Sequence, residues 1–422
     1  MTTLRNLLAR GVVFAERKLE VKERLIGGTY ETAWTDITSY VSSWGTITES
    51  YGDIVFLSEY IIDASAVVLD NSSRKFNSEK DPNSIFYHKS RMGSKFKFTM
   101  TYSDDDHSDV SVTTFFSYIY KNPVNSNNNL IAITHAPLIK VLQLFPATGI
   151  ATTSDTTVNI VSKLVKKTKN SIRIFDKYFE GANDAAKYIL NPDSKSVTTI
   201  STPTIDEGDS VWDKINDYAM YDDFFAYTND DGAFVFDSKD ETASVQFTLN
   251  GAGASTEEDG VNIISLSERD STINFWPRIV IEYGTDELKV SSSTDWTPGD
   301  GSDSDIYGER TYEANRPFKE LTEGEAQTIA DAKRDAYGLS IKKEYNVNTV
   351  IPQLKLNDLI KLNYFGEQTV ESGFTIAISA IAGPDPIGDV AGSFEIDNES
   401  FKVIQKAANW NNFSYNYAVR AI

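Results

Sequence analysis

Histidine and cysteine, the residue types that most often bind transition metals or act as nucleophiles, are scarce in this chain. The 422 residues include no cysteine and three histidines, His88, His107 and His135. Thiolate metal sites, disulfides and a cysteine nucleophile are therefore excluded. The histidines lie in different local contexts and form neither an HxH nor an HExxH spacing. We predict that the chain binds no transition metal and has no metal-binding residues.

Carboxylates are the abundant chemical group, with 61 Asp and Glu residues. An acidic stretch, DGSDSDIYGE, lies within residues 291–309, a Ser-, Asp- and Gly-rich segment that is typical of a linker. Calcium binding is the alternative, but the stretch fails the EF-hand template: counted from Asp303, its fifth and twelfth positions are Tyr307 and Ala314. The acidic triplet at residues 104–106 is interpreted as a solvated turn, with a cation site as the alternative.

Motifs that support catalysis or cofactor binding are missing from the sequence. There is no GxSxG, no Gly-rich loop followed by Lys-Ser/Thr, and no GxGxxG at a strand–helix junction. Glycosidases need only two carboxylates, and a chance pair is expected in so acidic a chain. The aromatic residues fit a core better than a sugar-binding surface, which stays open as an alternative. We predict a protein that is not an enzyme, with no catalytic or cofactor-binding residues and no cofactor.

The charge of the chain is strongly negative, with a formal net charge of -21 at pH 7. Such a surface repels phosphate, so no specific nucleic-acid partner is expected. No run approaches the roughly 18 apolar residues that a membrane span requires, and residues 1–10 lack a long apolar targeting segment. We expect synthesis in the cytoplasm and a chain that stays soluble until it assembles.

Apolar alternation predicts strands over much of the chain. Residues 95–102 (KFKFTMTY) alternate strictly, as a half-buried strand does. Residues 224–236 carry two aromatic runs around a turn in which Gly232 can take positive φ, which predicts a hairpin. Residues 394–404 are interpreted as another hairpin, turning at Asp397 and Asn398.

Three segments have helical spacing. Apolar residues recur every three or four positions in residues 158–165, and residues 210–221 form one apolar stripe that Asp209 or Ser210 can cap. Residues 322–325 form a capping box that opens a helix ending near Gly338.

These patterns together predict an α+β, mainly β fold, discontinuous in sequence, with a mixed α/β middle domain. The predicted domains are residues 1–150, which are β-rich; residues 151–300, a mixed helix and hairpin unit; and residues 301–422, a capped helix with strands that pack back on the first domain.

Three segments, in order, resemble proteins of the bacteriophage tail and baseplate hub. Residues 36–102 match a "D-V-T-x-Y-V" strand, a strand ending in "L-x-N" and an "F-x-x-x-x-P-x-S-x-F/W" loop. Residues 208–236 match a "W-x-x-I-x-x-L/Y-A" helix followed by "F-x-x-x-D-x-D-G-x-F-x-F". Residues 307–362 match "Y-G-x-R-x-Y", an "E-A-x-x-I-A" helix and "P-x-L-x-L-N/G-D-x-I/V-x-L/V", where Asn357 stands at a position that is often Gly. The matching residues are Asp36, Tyr40, Val41, Leu69, Asn71, Phe76, Pro82, Ser84, Phe86, Trp212, Ile215, Tyr307, Gly308, Arg310, Tyr312, Glu325, Ala326, Ile329, Ala330, Pro352, Leu354, Leu356, Asp358, Ile360 and Leu362.

The resemblance implies a structural component of a virion tail tip or baseplate hub, with tube-like β-barrel or sandwich domains, of which residues 1–150 are the N-terminal tube-like domain. Such a hub joins the tail tube to the central spike or tip, commonly as a homotrimeric ring whose lumen passes DNA or the tape measure protein during DNA ejection. The implied partners are other copies of the chain, the tail tube or distal tail protein, the spike or tip protein, and the tape measure protein. The acidic charge fits a lumen that repels phosphate, or it keeps an assembly protein soluble. Alternatives are a distal tail ring, a baseplate arm, or a tail protein that binds or cleaves host glycan.

Overall fold

The computed structural model describes residues 14–53, 55–56, 58–104, 106, 110–121, 124–125, 129–148, 153–206, 208–238, 245, 247–251, 263–286, 288–314, 318–349, 354–367, 393–411 and 414–422. Strands make up most of its regular structure, which confirms the α+β, mainly β class. The strands in this described part form open sheets.

The first region, up to residue 148, is built from strands and two short 3-10 helices, Thr38–Tyr40 and Leu138–Leu144. Its strands are β1 (Phe14–Leu25), β2 (Thr35–Asp36), β3 (Val41–Ser43), β4 (Thr46–Asp53), β5 (Ser58–Ala64), β6 (Val67–Asp70), β7 (Lys89–Ser103), β8 (Val110–Ile119), β9 (Val124–Asn125), β10 (Leu130–Ile133) and β11 (His135–Pro137). They form a five-stranded sheet in the order β11-β8-β7-β1-β2 and a four-stranded sheet in the order β3-β6-β10-β9.

The strictly alternating segment lies in β7, as predicted. Phe96, Phe98 and Met100 are buried, whereas the residues between them are half-buried. The Phe98 ring lies edge-on to Trp410, with 5.8 Å between centroids, and the Tyr102 hydroxyl is 3.2 Å from that of Tyr415. The apolar face of this sheet therefore packs against the last strands of the chain, because two half-apolar sheets bury most surface when they stack face to face.

The second region, from residue 153 to 293, mixes helices with short strands. Its helices are α1 (Thr157–Val165), α2 (Asp184–Lys187) and α3 (Val211–Asp222), with a 3-10 turn at Ser271–Asn274. Its strands are β12 (Asp155–Thr156), β13 (Thr168–Lys169), β14 (Ile172–Arg173), β15 (Tyr188–Leu190), β16 (Thr199–Ile200), β17 (Phe224–Thr228), β18 (Phe234–Ser238), β19 (Phe247–Asn250), β20 (Ile263–Glu268), β21 (Arg278–Tyr283) and β22 (Leu288–Ser293).

The helix and hairpin predicted for this region are confirmed. Ser210 caps α3 in a capping box with Asp213, and the apolar stripe of α3 is buried. Strands β17 and β18 pair as an antiparallel hairpin, and Gly232 in its turn has φ 78. The hairpin closes there because glycine adopts that left-handed conformation without a Cβ clash.

The third region, from residue 303 onward, contains α4 (Asp303–Tyr307), β23 (Thr311–Glu313), α5 (Glu323–Tyr337), β24 (Glu344–Thr349), β25 (Leu359–Glu367), β26 (Ser393–Asn409) and β27 (Ser414–Ala421). Thr322 and Glu325 form the predicted capping box of α5. Two predictions were wrong. The linker at residues 291–309 contains α4, and residues 394–404 lie within the continuous strand β26 and form no hairpin.

The largest sheet joins the regions. Its order is β19-β25-β26-β27-β24-β20, and β26 also pairs with β4 of the first region, which pairs with β5. Residues 405–409 thus align with residues 46–50 in one antiparallel ladder. Strand β26 continues through Asp397 and Asn398 because the residues on either side of them, Ile396 and Glu399, pair with β25. The two residues themselves lie where the register with β25 shifts, so the local turn preference produces an irregularity in the ladder and no hairpin.

Candidate functional site

At three places in the described part of the chain, buried polar side chains connect segments that are distant in sequence. We call these three contacts junctions, because their ion pairs and hydrogen bonds hold the three regions in fixed positions relative to one another.

None of the helices in the described part has the length and apolarity needed to cross a bilayer.

The first junction joins β7 to the second region through Lys95 and Glu180. The Lys95 Nζ lies 2.6 Å from Glu180 Oε1, and its side chain is only 3% exposed. Lys22 Nζ lies 3.6 Å from the other carboxylate oxygen, and Lys95 sits 4.6 Å from the centre of the Tyr30 ring. Burial favours the neutral acid, but Lys95 and Lys22 outweigh it and hold the pKa of Glu180 below its ordinary value.

The second junction, the Lys214 cluster, consists of Lys214, Asp217, Tyr221 and Glu320 and joins α3 to the segment before α5. Lys214 Nζ lies 2.8 Å from Asp217 and 3.6 Å from Glu320. The side chains of Lys214 and Glu320 are 5% and 1% exposed. Glu320 also accepts hydrogen bonds from the Tyr221 hydroxyl and, at 2.9 Å, from the Thr204 backbone N–H.

Charge pairing keeps Lys214 protonated in spite of its burial. Burial alone lowers the pKa of Lys214, but Asp217 and Glu320 together raise it above its ordinary value. The hydroxyl of Tyr221 is held protonated because burial and the Glu320 charge both raise its pKa. The cluster is therefore a satisfied ionic network, and removing one member leaves the others buried without compensation.

The third junction holds the turn after β4 against the third region. The Asp53 carboxylate accepts hydrogen bonds from the backbone N–H groups of Val55 and Phe56, at 3.0 and 3.1 Å. It also accepts one from the Tyr312 hydroxyl. The Phe56 ring packs against Phe318, with 5.4 Å between ring centroids. An apolar anchor and a charged acceptor thus fix the same turn.

The histidines considered in the sequence analysis do not come together. His135 is buried among aromatic rings and lies 5.0 Å from Phe98. Burial lowers the pKa of His135 to about 4. His88 is exposed and has φ 57, and His107 lies outside the described residues. In the part of the chain that the structure describes, no three His, Asp or Glu side chains are grouped to hold a metal ion.

The acidic stretch considered for calcium uses its carboxylates within the chain. Asp305 accepts hydrogen bonds from the backbone N–H groups of Gly299 and Gly301, and Asp303 accepts one from Ile341 at 2.7 Å. These contacts order the turn that leads into α4. In the triplet at residues 104–106, the first carboxylate is buried and the last is exposed, and Asp105 lies outside the described residues.

The backbone conformation at Asn357, in the third tail-protein pattern, explains which residue types occur at this position. Asn357 has φ 73, in the left-handed region that glycine and asparagine adopt most easily. Its N–H donates to the Val403 carbonyl at 2.8 Å, which ties the turn to β26. The occurrence of either Gly or Asn at this position is therefore explained by backbone geometry. Pro352, at the start of the same pattern, lies outside the described residues.

Comparison with known proteins relates the fold to tail proteins. The structure is similar to that of the tail protein from Neisseria meningitidis MC58, with a TM-score of 0.50, 10% sequence identity and coverage of 96% of both chains. The 43 kDa tail protein of prophage MuSo2 from Shewanella oneidensis gives a TM-score of 0.49, 12% identity and coverage of 96% of this chain and 98% of that one.

A chain of the Francisella PdpA-VgrG complex, in its half-lidded form, gives a TM-score of 0.46, 9% identity and coverage of 97% of this chain and 58% of that one. No protein-family model and no curated protein sequence matches the chain. The chain shares the fold of the Neisseria tail protein over nearly its whole length, which confirms at the level of fold the resemblance seen in the sequence.

Proposed function

We propose that this chain is a structural, non-enzymatic component of a bacteriophage tail, or of a related tail-like machine, and that it forms part of the tail tip or baseplate hub. The single observation that carries the proposal is the fold shared with the Neisseria tail protein across 96% of both chains. A fold match over the whole length supports a common architecture rather than a shared module. The tail-hub patterns in the sequence add the specific location.

The junctions support a role in which the three regions act as one mechanical unit, so that a force on one region is passed to the others. The ladder between β4 and β26 crosses from the first region to the last, and the Lys214 cluster joins α3 to the segment before α5. We propose that residues 1–150 and 301–422 form one β-rich body, with residues 151–300 as a mixed unit that is attached to it and adds β19 and β20 to its largest sheet. A hub subunit needs its regions held in fixed positions relative to one another, because neighbouring proteins contact different regions.

The proposed partners follow from the same location. Copies of the chain form a ring, a homotrimer in the favoured arrangement, between the tail tube or distal tail protein and the central spike or tip. The tape measure protein or DNA passes through the lumen. A closed ring limits assembly to a fixed copy number, whereas an open arrangement would grow without end.

Copy number in purified particles tests this arrangement. Isotope-dilution mass spectrometry of intact particles is expected to give three copies of this chain per tail, with the tail tube protein as the internal reference. Six copies would favour a distal tail ring, and a copy number that follows that of the fibres would place the chain in a baseplate arm. Either of the last two results would contradict the hub.

A further inference from the structure

Two cations of different regions lie beside the turn that follows β1. Arg24 is near the end of β1, in the first region, whereas Lys177 follows β14 in the second region. A Cβ added to Gly28, in the turn, would lie 3.6 Å from Arg24 Nη2 and 3.9 Å from Lys177 Nζ. Among the described residues, no other atom outside residues 27–29 lies within 4 Å of that position. The two positive groups therefore converge on one point at the surface.

The backbone around Arg24 holds its guanidinium in place. The Arg24 N–H donates to Ser94 Oγ at 2.9 Å. The guanidinium lies across Gly93, which has φ 80, and a Cβ there would lie 2.8 Å from Arg24 Nη1. Nε of Arg24 is enclosed, whereas its two terminal nitrogens keep accessible surface and donate no hydrogen bond within the described residues. The accessible end of the guanidinium can therefore bind a group from outside the chain.

Neither cation is neutralised by the protein. Within the described residues, neither Arg24 nor Lys177 forms an ion pair with a carboxylate. Burial and the Arg24 charge both lower the pKa of Lys177, as expected for a cation held beside another without a counter-charge. An anion placed between them would relieve this repulsion.

The carboxylates in the surroundings already have cationic partners. Glu180 belongs to the first junction, where two lysines hold it. Glu23 and Glu31 both lie near Lys89, with oxygen–nitrogen distances of 3.7 and 3.0 Å. The remaining acids of this acidic chain are largely screened, because the Debye length is about 8 Å at physiological ionic strength. The local excess of positive charge at Arg24 and Lys177 therefore decides which ligand is attracted.

We propose that Arg24 and Lys177 bind a doubly charged oxyanion of the phosphate type beside Gly28. A guanidinium can donate two parallel hydrogen bonds to such an anion, and an ammonium adds a point charge. A phosphate group carries a charge of roughly -1.5 to -2 at pH 7, which matches two cations. A single carboxylate would leave one of them uncompensated.

Phosphorus-31 NMR relaxation of inorganic phosphate in the presence of the full chain tests the proposal. At about pH 8 the probe is mainly the dianion, and about 0.1 M NaCl screens non-specific attraction. The wild-type protein is expected to broaden the phosphate line. Lys177→Met should bind about tenfold more weakly, because one of two charge-assisted contacts is lost. Sulfate at the phosphate concentration should displace the probe, whereas the same concentration of acetate should not.

A second variant keeps both cations but fills the space between them. Gly28 has φ 86, a conformation that asparagine tolerates, so Gly28→Asn should also weaken phosphate binding. The matched control is Lys343→Met, in the third region, which removes one positive charge from a lysine that is 56% exposed and lies 3.4 Å from Glu399. This variant should bind phosphate as the wild type does.

Three results would overturn the proposal. They are an unbroadened phosphate line with the wild-type protein, equal binding by the wild type, Lys177→Met and Gly28→Asn, and displacement by acetate as efficient as that by sulfate.

Discussion

Replacing Glu320 by alanine is expected to lower the free energy of unfolding by about 3–5 kcal/mol, the usual cost of breaking a buried ion pair by removing one partner. The Glu320 side chain is 1% exposed and faces Lys214, which is 5% exposed. Its loss also deprives the Thr204 N–H and the Tyr221 hydroxyl of their acceptor. Asp217 alone then has to compensate the buried ammonium.

Urea denaturation at pH 7 measures this effect, with the slope against urea checked for each variant because a chain of several regions need not unfold in one step. Glu309→Ala is the control, since Glu309 is exposed and surface changes usually stay within about 0.5 kcal/mol. Combining Glu320→Ala with Lys214→Met should cost less than the sum of the single changes, because the uncompensated charge is gone. Equal stabilities of Glu320→Ala and Glu309→Ala would show that the Lys214 cluster does not hold the regions together.

The second large effect is a loss of stability in mild acid that depends on His135. The pKa of His135 is about 4 in the folded chain because the ring is buried, against an ordinary value of 6.5. Between these values the unfolded state binds more protons than the folded state, so stability falls as pH falls through this window. The full difference amounts to roughly 3 kcal/mol, reached below pH 4.

Denaturation series from pH 7 to about pH 4 can isolate this contribution. His135→Gln removes the titrating group, so the variant should lose roughly 3 kcal/mol less than the wild type over that interval. His88→Asn is the matched control: His88 is exposed at φ 57, a conformation that asparagine tolerates. Parallel pH profiles for the wild type and His135→Gln would contradict the assignment.

Sequence patterns predicted helices, strands and turns correctly where interactions between residues close in sequence determine them. The alternation in β7, the capping boxes of α3 and α5, and the turn at Gly232 each depend on residues within a few positions of one another. The hairpin predicted for residues 394–404 was wrong because the residues that flank Asp397 and Asn398 pair with β25, and the two residues are accommodated at a register shift within β26.

The junctions could not be predicted because each partner lies far away in sequence. The alternation in β7 gives no reason for Lys95 to be buried, and it is buried because Glu180 of another region meets it. In the sequence, Lys214 looks like a charged residue on the surface of α3, and Glu320 looks like an exposed residue of the segment before α5. The only local signal was the position of Lys214 three residues before Asp217 in α3, and this spacing fits an exposed ion pair on a helix surface just as well.

The position of the chain in assembled particles tests the central claim most directly. Electron cryomicroscopy of intact tails, with this protein labelled by a bound antibody fragment, should show the label on the tail axis at the tip, repeated around a ring between the tube and the spike. A single off-axis copy, or label found only on peripheral fibres, would contradict the hub and leave a tail protein of another kind.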